Sequence, residues 1–333
     1  MKRLSVIIPG YNTPNELWRR CVKSVLVACG TNDEVICIDD GSAAKPDVGI
    51  SDNRVKFVFL EENIGQAAAR NKALELARGR YVAFVDSDDE VKEDAYDACI
   101  AELDGNGADV CIFGVECIWK SEKLRKHDVP DKCVACNPSA KLVEQWYKRC
   151  VLNYVSNKVI RKSFLDSHNI RFDIGGMPCE DIILYLETLT AGAKWCALPL
   201  EGYIYYKDHT TSLARYKSCY MHGIRSCAEA WRRFCETKID GRKECGYHFE
   251  IPKGQFLRLE WDNLWRTGSP YSAIQKFSWL KENGKVMGIR CVPVAFIEKV
   301  VFSFLRRRCY FAPIRRWHYK RIYNGIETWP SAK

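Results

Sequence analysis

The chain has 333 residues, 47% hydrophobic and 28% charged, enough for one large buried core or two ordinary ones. That balance excludes a disordered, collagen-like or small disulfide-stapled protein. The net charge of +9 is uneven, because residues 1–110 carry 13 Lys/Arg against 20 Asp/Glu and residues 291–333 carry 9 against 2. An acidic front suits metal-assisted chemistry, and a basic tail suits an anionic surface. The 17 cysteines sit mostly in apolar runs, as Cys37, Cys111 and Cys196 do, and read as buried free thiols of a reducing compartment. The apolar run that begins at Val6 stops at Pro9, too short for a secretion signal. No stretch approaches the roughly 20 apolar residues of a spanning helix, so a cytoplasmic protein is expected.

In chain order, Leu4–Ile8, Val35–Ile38, Val55–Leu60 and Tyr81–Val85 are short, β-branched or aromatic runs that predict buried strands. Helical patterns lie between and after them at 14–28, 66–78 and 91–104, with Pro14 in a first turn and Gly79 closing the second helix. Asp109–Trp119 predicts another strand, and 120–140, punctuated by Pro130 and Pro138, a loop. A helix near 140–150, a strand near 154–160, a helix at about 180–191 and a strand over Lys194–Tyr206 follow. Strands alternating with helices mean a mostly parallel α/β sheet. From about 216 the pattern is helical, broken at Pro252, Pro270 and Pro293, with a boundary near 213–216. The Cys133/Cys136 pair has no second pair at zinc spacing and reads as ordinary structure.

Ligands bind open parallel sheets at the carboxyl ends of the strands. Four polar clusters fall at such ends: Pro9-Gly10-Tyr11-Asn12, Asp39-Asp40-Gly41-Ser42, Asn63-Ile64-Gly65-Gln66 and Asp86-Ser87-Asp88-Asp89. In extended chain Asp86 and Asp88 face the same way, and three carboxylates in four residues ask for a cation or donors. Hard oxygen ligands favour Mg²⁺ or Mn²⁺. Alternatively, Asp88 and Asp89 cap a helix starting at Val91. Asp39 and Asp40 could accept from the N–H of a base with Tyr11 as a stacking face, or simply form a turn. Gly65 and the alanines after it expose a helix N-terminus suited to phosphate, with Arg70 one turn in. Phosphate-loop and dinucleotide glycine patterns are absent.

In content, order and spacing, Ser5–Asn12, Ile38–Ser42, Asn63–Asn71 and Gly79–Asp89 resemble the family 2 glycosyltransferases of the GT-A fold, of the bacterial surface-polysaccharide type. The likeness is close over 1–115 and looser to about 215, through Asn157–Arg161, Gly175–Asp181 and Tyr205–Ser212. It implies a GT-A-like domain over 1–215, with a nucleotide-binding half (1–115) and an acceptor half (116–215); the helical extension with a basic tail over 216–333 rests on the residue pattern and carries no such likeness. It further implies metal-dependent, inverting transfer of a sugar from a nucleotide sugar, most often UDP-linked, to a glycan or lipid-linked acceptor. The base would lie against Pro9, Tyr11 and Asp40, with Asp39 beside them and Asn12, Asn63, Gly65 and Ser87 on the same donor rim. Arg70 would lie near the diphosphate, Asp86 near the ribose, and Asp88 on the Mg²⁺ or Mn²⁺ that bridges the phosphates. His209 would touch the metal or diphosphate, or else be a structural histidine. Asp181 matches the family's base, although it could be a helix N-terminal acid. Glu180 is the next candidate, and Lys158 belongs on the acceptor side or is an ordinary surface lysine. Gly10 departs from the Val or Ser common in the family, harmlessly if only backbone makes the contact there.

In the tail, residues 295–323 place Phe296, Val300 and Phe304 at helical spacing beside Arg306-Arg307-Arg308 and Arg315-Arg316-Trp317. That pattern fits a peripheral contact with an anionic membrane, or a core helix with a solvated basic end. Nucleic acid is not an expected partner. A sugar-nucleotide pyrophosphorylase would need a Gly-rich, Arg-containing N-terminal loop that is missing here. Intact Asp86, Asp88 and Asp181 count against an inactive scaffold of the same fold.

Overall fold

Leu4, Val6, Ile7 and Ile8 follow one another almost without polar interruption, and such a run is stable only with both faces covered. The computed structural model describes residues 2–119, 122–123, 131–139, 142–143, 145–146, 152, 154–175, 179–206, 226–227, 229–230, 233–234 and 237. Within them β1 (Lys2–Gly10) lies deep in a ten-stranded sheet. It pairs in parallel with β2 (Glu34–Asp39) and β4 (Gly79–Phe84), and β3 (Val55–Phe59) pairs in parallel with β2. Beyond β4 come β9 (Lys158–Arg161), β6 (Val110–Trp119), β10 (Trp195–Tyr206) and β5 (Glu90–Val91). The six strands β3, β2, β1, β4, β6 and β10 run in one direction; β9 and β5 oppose them. The fold is GT-A-like α/β, as expected.

Successive β1 side chains enter opposite cores. Leu4, Val6 and Ile8 join a cluster with Trp18, Cys21, Val22 and Val25 of α1 (Asn15–Ala28) and Tyr96, Cys99 and Leu103 of α3 (Ala95–Asn106). Ile7 joins Ala69, Ala73 and Leu74 of α2 (Gln66–Leu76), Leu165 of α4 (Lys162–Ser167), and Ile183, Leu184 and Leu186 of α5 (Glu180–Thr190). Each such fully buried large side chain contributes about 1.5–3 kcal/mol. The described cysteines are free thiols, nearly all buried, as expected.

Several expectations need correction. Gly79 does not close the second helix; that helix ends at Leu76, and Gly79 opens β4, donating its N–H to Ser5 Oγ at 2.8 Å. The third helix starts at Ala95 rather than 91, because Glu90 and Val91 pair with Ile204 and Tyr203 of β10. Asp88 and Asp89 therefore cap no helix; Asp94 holds the N-cap position. The expected 120–140 loop contains two short strands, β7 (Glu122–Lys123) and β8 (Cys133–Cys136), and α4 was not anticipated. The boundary near 213–216, the helical extension, the 295–323 tail and His209 lie outside the described residues.

The segment leading to α5 is tied to α2 by one side chain. Asn71 Nδ2 donates to the Phe172 carbonyl, and Asn71 Oδ1 accepts the Phe172 N–H, both at 2.9 Å. Phe172 in turn meets Phe84 edge-on at 5.0 Å. Asn71→Ala strands both backbone groups, so equilibrium denaturant unfolding should show a loss of about 1–3 kcal/mol. Asn71→Asp, which keeps the acceptor, should lose less.

Candidate active site

The carboxyl ends of β1, β2 and β4 meet at one rim, and the loops leaving them are stitched together. Asn12, in the left-handed region (φ 51°), donates its N–H to Ser42 Oγ at 2.7 Å and accepts the Ala43 N–H at 3.1 Å. Asp39 is buried and accepts from the Ser42 N–H and hydroxyl at 3.1 and 2.5 Å. Asp40, also buried, receives the N–H groups of Ile64 and Gly65 at 2.8 and 3.0 Å. Burial pushes its carboxyl above the usual range, and the two N–H groups oppose that. Gly41 has φ +71°, and a Cβ there would lie 2.6 Å from Asn63 N, so no other residue fits the turn. Gly10 has a packing reason as well, since a Cβ would overlap the Trp18 indole. Pro9 is buried, Asn63 is exposed, and Tyr11, 42% exposed, keeps a free stacking face.

A single buried guanidinium organises the other side of the rim. Arg70, on α2, is 2% exposed. Its Nη2 donates to Asp86 Oδ1 at 2.7 Å and its Nη1 to Asp181 Oδ1 at 3.2 Å, with Glu180 Oε1 at 3.8 Å. Gln66, one turn earlier on α2, donates to the same Asp86 oxygen at 3.0 Å. Burial works against the charge on Arg70, and Asp181, Asp86 and Glu180 more than offset it. The guanidinium expected beside the diphosphate is thus committed to three carboxylates. Asp181 is pushed up to about 7, chiefly by desolvation; Arg70 opposes this, Glu180 and Asp86 add to it, and Lys158 opposes it. About a fifth of the Asp181 side chain (22%) remains open to solvent. Glu180 Oε2 is buried and lacks a hydrogen-bond partner among the described residues.

The Asp86–Asp89 cluster divides its labour. Ser87 is buried, its hydroxyl 2.8 Å from Thr13 Oγ1. Asp89 is buried in the opposite sense from Asp86, accepting from Tyr203 OH at 2.6 Å and from the Tyr206 N–H at 2.8 Å. Burial, with Asp88 and Asp86 nearby, raises its carboxyl well above the usual range. Asp88 is half-buried, and its carbonyl accepts from Arg20 Nη2 at 2.5 Å. Arg20 also pairs with Glu90 at 3.1 Å and lies 3.9 Å over the Tyr206 ring. Arg20 carries no motif, so only the fold reveals this clamp.

The family resemblance implies a divalent cation, and the donor set fits one. Asp86 serves Arg70 and Gln66 through one oxygen, Oδ1, and Asp88 carries the neighbouring half-buried carboxylate of this rim. No group of three His, Cys, Asp or Glu side chains gathers among the described residues. One carboxylate is nonetheless a normal protein share for Mg²⁺, whose remaining ligands are water and substrate phosphate oxygens.

A three-layer α/β sheet thus gathers carboxylates and backbone turns at its strand ends, and comparison with known proteins shows what it resembles. Residues 5–167 match the model of glycosyl transferase family 2. The succinoglycan biosynthesis protein ExoO of Rhizobium meliloti is 29% identical over 61% of this chain and 60% of its own length. The putative glycosyltransferase EpsH of Bacillus subtilis is 31% identical over 52% and 51%. The chain thus spans between half and two thirds of these relatives. Among solved structures, S. aureus TarS 1–349 in complex with UDP-GlcNAc superposes with a TM-score of 0.61 at 20% identity, covering 85% of this chain and 80% of that one.

Replacing Arg70 by Met leaves buried Glu180 and the half-buried Asp86 and Asp181 without their cation. The folded carboxyls of Glu180 and Asp181 then sit further above the unfolded value near 4, and the cost grows as pH rises through neutrality. Arg70→Met should lose about 3–5 kcal/mol at pH 8 and markedly less at pH 5, read from unfolding curves at the two pH values.

Proposed function

We propose that the protein transfers a sugar, with inversion, from a UDP-linked donor to a hydroxyl of a glycan or lipid-linked acceptor in cell-surface polysaccharide assembly. One observation carries this reading: a single guanidinium gathers Asp86, at the end of β4, and Asp181, at the start of α5, to the same point. The first is a donor-side carboxylate and the second a base, which is the pairing that transfer to a hydroxyl requires. Support also comes from ExoO, named for succinoglycan biosynthesis, and from TarS, solved with UDP-GlcNAc.

In this reading Tyr11 stacks on the base while the Asp39–Ser42 turn and Asp40, pinned by Ile64 and Gly65, shape its edge. Asp86 approaches the ribose. Asp88 holds Mg²⁺ or Mn²⁺, which when bound neutralises charge on the leaving diphosphate. Asp181 takes the acceptor proton as the oxygen attacks the anomeric carbon. Its partial exposure admits the acceptor, and a carboxyl near 7 balances basicity against ionisation at neutral pH.

Release of UDP from a panel of donors in the presence of Mg²⁺ or Mn²⁺ tests the assignment. Asp181→Asn should lower kcat by about 10²–10⁴-fold with donor Kd unchanged. Asp88→Ala should abolish metal-dependent donor binding. Near-normal kcat in Asp181→Asn overturns the base, and turnover independent of metal overturns the role of Asp88.

The same reading places the protein peripherally on an anionic inner membrane face through residues 295–323. Sedimentation with phosphatidylserine vesicles should be salt-sensitive and lost on truncation before Val294; indifference of the intact chain to such vesicles at low salt overturns it.

A further inference from the structure

Lys158 is an unusual residue for a sheet interior. It is the first residue of β9, fully buried, in a strand inserted antiparallel between β4 and β6. The Ala83↔Val159 pairing puts Lys158 one step further toward the carboxyl end of β4, the end from which Asp86 emerges. Its Nζ donates to the Tyr154 carbonyl at 2.6 Å and to Asn157 Oδ1 at 2.5 Å, and lies 4.1 Å from the Tyr185 ring centroid. Two of these partners are themselves fixed. Asn157 Nδ2 donates to the Phe113 carbonyl at 2.8 Å, which turns Oδ1 toward the lysine, and Tyr185 OH donates to the Val155 carbonyl at 2.8 Å. Two acceptors and an electron-rich ring face suit an ammonium; a neutral amine would turn its lone pair on one of them. Burying a charge costs several kcal/mol, so a methionine would serve packing better.

The ring beneath the ammonium is the link to the chemistry. Tyr185 lies four residues after Asp181 on α5, hence one turn along the same helix face. Asp181 accepts from Arg70 Nη1 of α2, has Glu180 beside it at the start of its own helix, and feels the charges of Asp86 and of Lys158 on β9, while its own charge reaches Tyr185 one turn on. Burial lowers the Lys158 ammonium well below its usual value, and Asp181 works against that; reciprocally, Lys158 favours the ionised form of Asp181.

We propose that Lys158 is a positioning residue for the base: its buried ammonium, clamped by Tyr154, Asn157 and the Tyr185 face, holds the carboxylate of Asp181 ionised for proton abstraction. This rests on the proposed transfer reaction. Arg70 is the larger opposing charge but is shared among three carboxylates, and Lys158 adds to it.

The test is the pH profile of kcat/KM. In Lys158→Met the acid limb should move up by about one pH unit, so that the rate falls about fivefold at pH 7 and returns close to wild type at pH 9. Donor Kd should not change. A uniform loss at every pH means that Lys158 only packs, and overturns the proposal. A second measurement does not need that variant to fold. With ¹³Cε-labelled lysine, NMR of the intact chain follows the lysine that titrates well below the rest; in Asp181→Asn its midpoint should fall by about one pH unit, because coupling is reciprocal. An unmoved midpoint overturns the proposal whatever the kinetics. If the wild type releases UDP from no donor, the transfer reading fails, while the lysine titration still decides whether Lys158 and Asp181 are coupled.

Discussion

A guanidinium removed from water must be surrounded by carboxylates, and the carboxylates by it. That reciprocity between Arg70 and Asp86, Asp181 and Glu180 is the constraint on which the rim depends. It fixes three separate pieces of chain, the start of α2, the loop after β4 and the start of α5, at one place. Neither partner could be buried alone, since an unpaired ion in the interior costs several kcal/mol. The same arrangement keeps the carboxyls responsive. Asp181 and Glu180 are both raised by desolvation and both restrained by Arg70, so they titrate as a group rather than as independent acids.

Around that hub most acidic side chains of the rim are structural first. Asp39 and Asp40 spend their oxygens on the turns that shape the rim, and Asp89 anchors Tyr203 and the Tyr206 backbone. The consequence is selectivity by orientation. In the stretch 86–89, Ser87 and Asp89 are buried while Asp86 and Asp88 are half-buried, sorted not by the extended chain expected from the sequence but by a turn in which the Asp89 N–H donates to the Asp86 carbonyl at 3.0 Å. Four adjacent polar residues are thus sorted into two that hold the scaffold and two that border the opening.

The sequence by itself determined the alternation of strands and helices through Asn106, because continuous apolar runs and helical spacings are local and each implies its own burial. It also determined the rim, since loops at parallel strand ends converge wherever the strands are adjacent. The start of α5 at Glu180 was legible for the same reason. Other features were decided only by the tertiary structure. Glu90 and Val91 became a strand because β10 offered an edge more than 100 residues away in the chain. Arg70 looked like a phosphate ligand one turn into a helix, and turned instead to Asp86 and Asp181, 16 and 111 positions distant. Lys158, between an asparagine and a valine, reads in sequence like any surface lysine; its burial follows from β9 entering the sheet antiparallel between β4 and β6. Periodicity records which face of an element is buried, but charge pairing depends on which distant elements the fold brings within a few ångströms, and that information is held by no single segment.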